Sequence, residues 1–204
     1  MSFIVKFWGV RGSIACASQN HMKYGGNTSC IEVNANGNRI ILDAGTGIRQ
    51  LGNSIKDTTH KNIYILLSHT HWDHINGFPF FSPAYNKELS IEIMAGHLLD
   101  KGGVHEVLSK QMDNPMFPVP LNSMTAQISF TDFTAGDSFN LFEGVHVKTA
   151  PLNHPNGATG YRIEYKDKSI AYITDTEHVE GKTDENVVNL MTDTDLVIYD
   201  STYT

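Results

Sequence analysis

The sequence predicts an α/β fold in which two β-sheets pack face to face and helices cover their outer surfaces. Apolar runs of strand length fall into two groups along the chain, with helical segments between them. Turn signals separate the runs, and no repeat or low-complexity segment interrupts them. With 204 residues and 40% hydrophobic side chains, the chain can bury one sizeable core. We therefore expect a single domain over residues 1–204.

The first group of elements precedes a proline-rich loop. Asn34–Asn38 contains residues that tolerate positive φ, so it predicts a hairpin turn. Ile63–Leu67 is almost continuously apolar, which is typical of a strand covered on both faces. The predicted strands are Phe3–Trp8, Cys30–Val33, Arg39–Leu42, Ile63–Leu67 and Ser90–Ala95, and the predicted helices run from Gly45–Gly47 to about Ile55 and from Leu98 to Met112.

The second group of elements follows residues 113–121. Pro115, Pro118 and Pro120 predict an extended loop there, because proline fixes φ and lacks a backbone donor. The predicted strands are Gln127–Phe130, Ser138–Phe142, Val145–Thr149, Tyr161–Tyr165, Ser169–Ile173 and Leu196–Tyr199, with a helix over Glu185–Met191. We expect the fourth and fifth of these strands to pair across Lys166–Lys168 and the last to be buried.

The charge and cysteine content exclude several classes of protein. The chain has 15 Lys and Arg against 22 Asp and Glu, a net charge of 15 − 22 = −7 with neutral histidines. This balance disfavours binding of extended nucleic acid, which needs many cations facing phosphates. No run approaches the roughly 20 apolar residues of a membrane span, so we expect a soluble, cytoplasmic protein with no membrane partner. Cys16 and Cys30 allow one disulfide at most, which agrees with a reducing compartment.

A dense group of metal-ligand side chains follows the strand at Ile63–Leu67. The pattern His-x-His-x-Asp-His places His69, His71, Asp73 and His74 within six residues. From the residue frequencies of this chain, the pattern arises by chance with a probability on the order of one in 700. Alternating side-chain directions would point His69, His71 and Asp73 one way and leave His74 offset, which favours a second ion beside the first. Imidazole with carboxylate suits zinc, manganese or iron better than calcium or magnesium.

His154 and Asp175 also follow predicted strands directly. A lone histidine in such a place is more often a surface residue, and a lone aspartate before threonine is more often a turn or cap residue. Ligands that follow strand ends converge on one rim of a sheet, however, and the strong motif at residues 69–74 supplies partners for them. We therefore expect both residues to join the metal site.

With these ligand residues, the sequence resembles the metallo-β-lactamase fold hydrolases, whose fold is a four-layer αββα sandwich. The opening also resembles the phosphodiesterase branch of that family, which includes transfer-RNA 3′-processing nucleases and cyclic-nucleotide phosphodiesterases. The family motifs lie, in order, at Leu42–Gly47, Ser68–His74, Asn153–His154 and Thr174–Thr176, and the branch motifs lie at Trp8–Ser13 and Tyr24–Cys30.

The resemblance implies two divalent ions, with zinc the first choice and manganese or iron as alternatives. One ion would be held by His69, His71 and His154, and the other by Asp73 and His74, with Asp175 bridging them. Asp73, His154 and Asp175 would then be the catalytic residues.

The same resemblance suggests roles for residues around the ligands. Asp43 would orient the histidine loop, and it could at the same time cap the following helix. Asn27 and Thr28 would hydrogen-bond near a substrate phosphate, or serve only in a turn. Phe117 in the proline loop would wall the cleft, unless it is an ordinary packing residue.

The resemblance further implies that the second ion takes a histidine from a strand end beyond residue 204. His178 lies only three residues past Asp175, and we interpret it as a surface residue. The expectation is therefore a truncated chain or an incomplete second site, with unequal occupancy of the two sites.

These observations predict a phosphodiesterase that uses a metal-bound hydroxide on a small, nucleotide-like phosphodiester. Two alternatives remain open. The same set of metal ions and ligands would hydrolyse thioesters or lactams. Alternatively, a chain with an incomplete second site would be a non-catalytic metal-binding scaffold. A homodimer is also left open.

Overall fold

The computed structural model describes residues 2–55 and 59–201, so residues 1, 56–58 and 202–204, which the single-domain prediction includes, lie outside the described residues. Within the described part, the strands are β1 (Phe3–Gly9), β2 (Cys30–Ala35), β3 (Asn38–Leu42), β4 (Asn62–Leu67), β5 (Ser90–Ala95), β6 (Gln127–Asp132), β7 (Ser138–Phe142), β8 (Val145–Leu152), β9 (Ala158–Tyr165), β10 (Lys168–Ile173) and β11 (Leu196–Tyr199). The α-helices are α1 (Gly47–Ser54), α2 (Trp72–Ile75), α3 (Gly103–Gln111) and α4 (Glu185–Met191).

Six of these strands form the first sheet, in the order β1-β2-β3-β4-β5-β6. The first three strands pair antiparallel, and β3 to β6 run parallel. The predicted hairpin joins β2 to β3, and Asn36 (φ 52°) and Gly37 (φ 95°) supply the two positive φ angles of its turn. The central strand β4 is covered on both faces, as its apolar run predicts.

The other five described strands form the second sheet, in the order β11-β10-β9-β8-β7. As predicted, β9 and β10 pair antiparallel across a tight turn, whereas β11 runs parallel to β10 at the edge. The prediction that β11 is buried is wrong. Leu196, Val197 and Tyr199 are each more than one third exposed, because an edge strand has a neighbour on one side only.

Three layers of apolar side chains separate the sheets and helices. Since successive residues of a strand face opposite ways, Ile40 and Leu42 pack toward the second sheet while Ile41 packs with Leu51 of α1. On the far side, Leu190 of α4 packs with the outer face of the second sheet. The order of layers is helix, sheet, sheet, helix, which confirms the predicted αββα sandwich.

Helix α3 is shorter than the sequence predicts. Leu98 begins a turn rather than the helix, and the helix starts only at Gly103. Gly102 (φ 92°) and Gly103 (φ 84°) adopt left-handed conformations that cannot continue a right-handed helix back toward Leu98. Asp132 at the end of β6 then accepts hydrogen bonds from the Val104 N–H and fixes the start of α3.

Two composition-based expectations can be compared with the described residues. No helix among them is long and apolar enough to cross a membrane. Cys16 and Cys30 are both free, and Cys30 is fully buried in the outer core of the first sheet.

Candidate metal centre

The ends of four strands converge on one edge of the sandwich. β3 and β4 are parallel neighbours, so the residues that follow them, Asp43 and Ser68–His74, emerge side by side. The second sheet is tied to the same edge by two contacts. The Tyr161 hydroxyl donates to the Leu67 carbonyl at 2.6 Å, and the Thr159 N–H donates to the Ser68 carbonyl at 2.8 Å. This brings the loops after β8 and β10 to the histidine cluster.

One donor group contains His69, His71 and His154, whose ligand atoms lie within 4.8 Å of one another. His71 Nδ1 and His154 Nε2 are 3.0 Å apart, and the rings of His69 and His154 meet edge to face. The buried Nε2 of His69 has no hydrogen-bond partner among the described residues. The structure thus brings together the three residues that the sequence assigns to one ion, although 83 positions separate His71 from His154.

A second donor group contains His69, His74 and Asp175. His74 Nε2 lies 3.1 Å from Asp175 Oδ2 and 3.4 Å from Asp73 Oδ2. His69 is common to these two groups of neighbouring donor atoms, and the bridging place that the sequence analysis gave to Asp175 stays a prediction. Asp73 also differs from its expected position, because it lies on helix α2 and not in a strand-like file with His69 and His71.

The fully buried Asp43 hydrogen-bonds to residues of the histidine loop on the side away from solvent. Its Oδ1 accepts the Ser68 N–H at 2.7 Å, and its Oδ2 accepts the Ser68 hydroxyl at 2.8 Å and the Tyr172 hydroxyl at 2.7 Å. His74 Nδ1 lies 2.7 Å from the same Oδ2. Asp43 therefore orients His74 as predicted, but it does not cap α1. The N-cap of that helix is Thr46.

The buried carboxylates and imidazoles shift one another's pKa values. Burial lowers the pKa of His74, but the charge of Asp43 and hydrogen bonds to Asp175, Asp43 and Asp73 outweigh it, so the pKa is raised well above 6.5. Burial and the neighbouring His74 charge lower the pKa of His69 to about 3. Burial raises the pKa of Asp175, but the hydrogen bond and charge of His74 lower it by a larger amount. The net pKa lies below the usual value, so the carboxylate stays ionised. Asp175 and His69 thus offer lone pairs at neutral pH.

Sequence reasoning missed the contribution of Ser13. Its backbone N–H donates to Asp73 Oδ2 at 2.6 Å across 60 positions, and its φ of 63° turns the chain toward that carboxylate. Burial raises the pKa of Asp73, but His74 and this N–H lower it below its usual value. The Trp8–Ser13 motif was the available signal, since a glycine-rich opening supplies backbone donors.

Asn27 and Thr28 are committed to the protein itself. Thr28 is fully buried, and its N–H and hydroxyl hydrogen-bond to the hydroxyl and N–H of Thr46 at 2.9 and 2.8 Å. The Asn27 amide oxygen accepts from the Thr46 hydroxyl, and its amide donates to the Trp8 carbonyl. These contacts support the turn role and leave Thr28 no access to a substrate phosphate.

A cavity of about 220 Å³ opens beside Asp175. Its wall includes Arg11 and Gly12 from the N-terminal loop, together with Asp175 and Tyr199. Phe117 is not among the described residues that line it. That ring is half-buried against the core of the first sheet and meets Phe80 edge to face at 5.6 Å, which is the packing role left open by the sequence.

The donor chemistry fits divalent ions. The buried Nε2 of His69 has no hydrogen-bond partner among residues 2–55 and 59–201, and the buried Nε2 of His74 lies 3.1 Å from an oxygen of Asp175 and 3.4 Å from one of Asp73. Buried polar atoms are normally paired, so unpaired imidazole nitrogens that converge on carboxylates and on one another indicate places for cations. The set of nitrogens with carboxylate oxygens is the one that zinc, manganese and iron prefer.

An αββα sandwich with such a histidine and aspartate cluster at its strand ends defines the class of metallo-β-lactamase fold proteins. The chain belongs to the β-lactamase superfamily, because the family model described as a beta-lactamase superfamily domain matches residues 38–204. The resemblance read from the motifs is thereby confirmed.

Several known proteins are similar to this chain. Ribonuclease Z of Clostridium perfringens is 26% identical over 147 residues, 68% of this chain and 46% of the relative, so the chain spans about half the length of that relative. Among solved structures, the short form of human tRNase Z is 19% identical with a TM-score of 0.65, over 95% of this chain and 76% of that one.

Two further structures share the fold. A diphosphatase from the PhnP family is 19% identical with a TM-score of 0.65, over 95% of this chain and 72% of that one. Zn²⁺-bound PqqB from Methylobacterium extorquens is 16% identical with a TM-score of 0.66, over 97% of this chain and 72% of that one. Of these two structures, that of PqqB contains Zn²⁺.

Proposed function

We propose that the chain is a metal-dependent phosphodiesterase that acts on a small, nucleotide-like phosphodiester. It would use two divalent ions, with zinc as the preferred metal. The observation that carries the proposal is the pair of donor groups that share His69 at the edge of the sandwich. A nuclease and a diphosphatase among the similar proteins support phosphate ester chemistry, and a zinc-bound protein among them supports the choice of metal.

Two ions held side by side would acidify a water molecule at neutral pH and neutralise the charge of an attacked phosphoryl group. His69, His71 and His154 would hold one ion, and His74, Asp73 and Asp175 would complete the other. These positive charges would also attract an anionic substrate to a chain whose net charge is −7.

The surrounding residues keep the ligands in the right state. Asp43 Oδ2 accepts a hydrogen bond from His74 Nδ1, which leaves Nε2 as the ring nitrogen that faces Asp73 and Asp175. The Ser13 N–H holds Asp73 ionised and in place. Arg11, whose Nε donates to the Gly25 carbonyl at 2.8 Å, lies in the wall of the adjoining cavity and would add a positive charge near a bound phosphate. The cavity has a volume of about 220 Å³, and Asp175 is the member of the donor groups that lines it.

The test is turnover of a chromogenic phosphodiester, bis(p-nitrophenyl) phosphate, and of cyclic and linear nucleotide diesters by the zinc- or manganese-loaded protein. A thioester and a β-lactam serve as competing substrates. We expect diester hydrolysis that chelation abolishes and metal restores. Turnover of only the thioester or lactam would overturn the substrate class, and metal binding without any turnover would favour a scaffold.

A matched pair of histidine variants links the activity to the site. His71→Ala should abolish turnover and remove metal without unfolding the chain, because a rim residue contributes little core burial. His146→Ala is the control, since that ring contacts Asn140 in the second sheet and belongs to neither donor group. Full turnover and full metal content in His71→Ala would exclude His71 from the site.

A further inference from the structure

Within the first donor group, His154 is the residue that comes from a separate loop. Its partners His69 and His71 share one loop after β4, whereas His154 lies in the turn between β8 and β9. The position of His154 relative to His71 therefore depends on what fixes this turn. A misplacement of even 1 Å would change how well three nitrogens surround one ion.

The ammonium group of Lys101 joins this turn to the loop after β5. Its Nζ donates to the Asn156 carbonyl at 2.6 Å and to the His97 carbonyl at 3.0 Å. The two carbonyls belong to loops far apart in sequence, since Asn156 lies 55 positions from Lys101. Hydrogen bonds from a charged donor are stronger than neutral ones, so the ammonium is an effective cross-link between these loops.

The turn between β8 and β9 connects the Lys101 contact at Asn156 to His154. The Gly157 N–H donates to the His154 carbonyl at 2.9 Å, so Asn156 lies within the hydrogen-bonded turn that begins at His154. Asn156 (φ 67°) and Gly157 (φ 80°) both have positive φ, which gives this turn one tight shape. A Cβ on Gly157 would meet the His97 Cβ at 3.7 Å, so the two loops also pack closely.

The loop after β5 is in turn fixed to the other histidines. The His97 ring places Nε2 3.3 Å from the hydroxyl of Thr70, the residue between His69 and His71. Burial and the charge of Lys101 lower the pKa of His97 to about 4, so the ring is neutral at neutral pH and does not repel a cation. A continuous set of contacts therefore runs from Thr70 through His97 and Lys101 to the turn at His154.

We propose that Lys101 is a positioning residue that holds His154 against His71 and so sets the affinity for the ion of the first donor group. The proposal rests on the metal role of that group in the proposed function, but it does not depend on the substrate. An ordinary surface ion pair is the competing explanation. The only carboxylate near Nζ in the described chain is Asp100, at 4.0 Å, which is the outer limit of an ion pair.

The opposite side of the turn has its own restraint. The Asn153 amide donates to the Glu177 carbonyl at 2.8 Å, and the Glu177 N–H donates to the Asn153 carbonyl at 2.7 Å. Because this second pair remains when Lys101 is replaced, we expect the turn to shift and loosen without melting. The loss should therefore be partial.

The experiment compares zinc binding by three lysine variants and the unsubstituted chain in competition with a chromophoric chelator. Lys101→Met keeps the length of the side chain and removes the ammonium. We expect it to weaken binding of the ion held by His69, His71 and His154 about tenfold, the lower end of the range for residues that support a ligand indirectly. Lys101→Arg keeps the charge and should recover most of the affinity. Lys110→Met is the matched control, because Lys110 on α3 pairs with Glu106 on the same helix and, within the described chain, contacts neither donor group.

A spectroscopic readout separates positioning from general destabilisation. The visible absorption of the Co²⁺-loaded chain reports ligand geometry, and it should change in Lys101→Met and not in Lys110→Met. Equal zinc affinity and an unchanged Co²⁺ spectrum in Lys101→Met would overturn the proposal, as would equal losses in both Met variants. Absence of zinc binding by the unsubstituted chain would instead overturn the metal role in the proposed function.

Discussion

Replacing Asp43 with asparagine tests the support behind His74. The four groups that contact the carboxylate are the Ser68 N–H, the hydroxyls of Ser68 and Tyr172, and His74 Nδ1, all within 2.8 Å. Asparagine offers one acceptor oxygen and one NH₂ donor in the same space. With its oxygen on the Ser68 N–H, the NH₂ faces the other three groups. The two hydroxyls can rotate to accept, but His74 can accept only by losing its Nδ1 proton.

The consequence for metal binding is a change of tautomer. The proton would move to His74 Nε2, the atom 3.1 Å from Asp175 Oδ2, and a protonated nitrogen cannot bind a cation. Loss of such an outer hydrogen bond weakens metal affinity roughly 10- to 100-fold, or about 1.4 to 2.7 kcal/mol. We expect the metal-free variant to lose about 1 to 3 kcal/mol of unfolding free energy as well, because buried groups are left imperfectly paired.

Two measurements check this prediction. Calorimetric zinc titration of the metal-free chain gives the affinities, and urea unfolding gives the stability. Asp132→Asn is the matched control, since Asp132 accepts the Val104 N–H at the start of α3, away from the donor groups. If Asp43→Asn bound both ions as tightly as the unsubstituted chain, the tautomer reasoning would be refuted.

Further predictions concern Asp73, the pH dependence that follows from His74, and Phe117. Asp73→Ala should weaken the ion near His74 more than the ion near His71, and equal loss of both in a zinc titration would contradict that division. Zinc affinity should rise with pH above 6.5 toward the raised pKa of His74, because its proton must leave; a binding series over pH with proton release counted in different buffers checks this. The stability of the metal-free chain should change with pH in the opposite direction. Because the folded pKa of His74 is raised, its contribution to the unfolding free energy is fully present below pH 6.5 and is lost as pH rises through the folded pKa. Urea unfolding over the same pH range measures this loss. Phe117→Ala should cost about 2 kcal/mol of unfolding free energy and affect a nucleotide diester and bis(p-nitrophenyl) phosphate alike, and a selective rise of KM for the nucleotide would restore Phe117 to the substrate cleft.

The sequence by itself determined most of the elements and the central ligand cluster. Strand periodicity and turn residues are local signals, so they located every strand of the described part of the chain and the hairpin at Asn36–Gly37. Neighbouring residues also meet without help from the rest of the fold, which is why the pattern at His69–His74 was sufficient to indicate a metal site. Where local signals compete, as in the glycine pair before α3, the backbone conformation decided the boundary.

Only the tertiary structure decided which of these side chains work together. Asp43 meets Tyr172 across 129 positions, and Ser13 meets Asp73 across 60. Sequence spacing does not encode the distance between the ends of strands in two different sheets, because packing sets that distance. For this reason the sequence could nominate His154 and Asp175, while the closeness of His69 to both donor groups, Ser13 as a support and Lys101 as a cross-link emerged only once both sheets were in place.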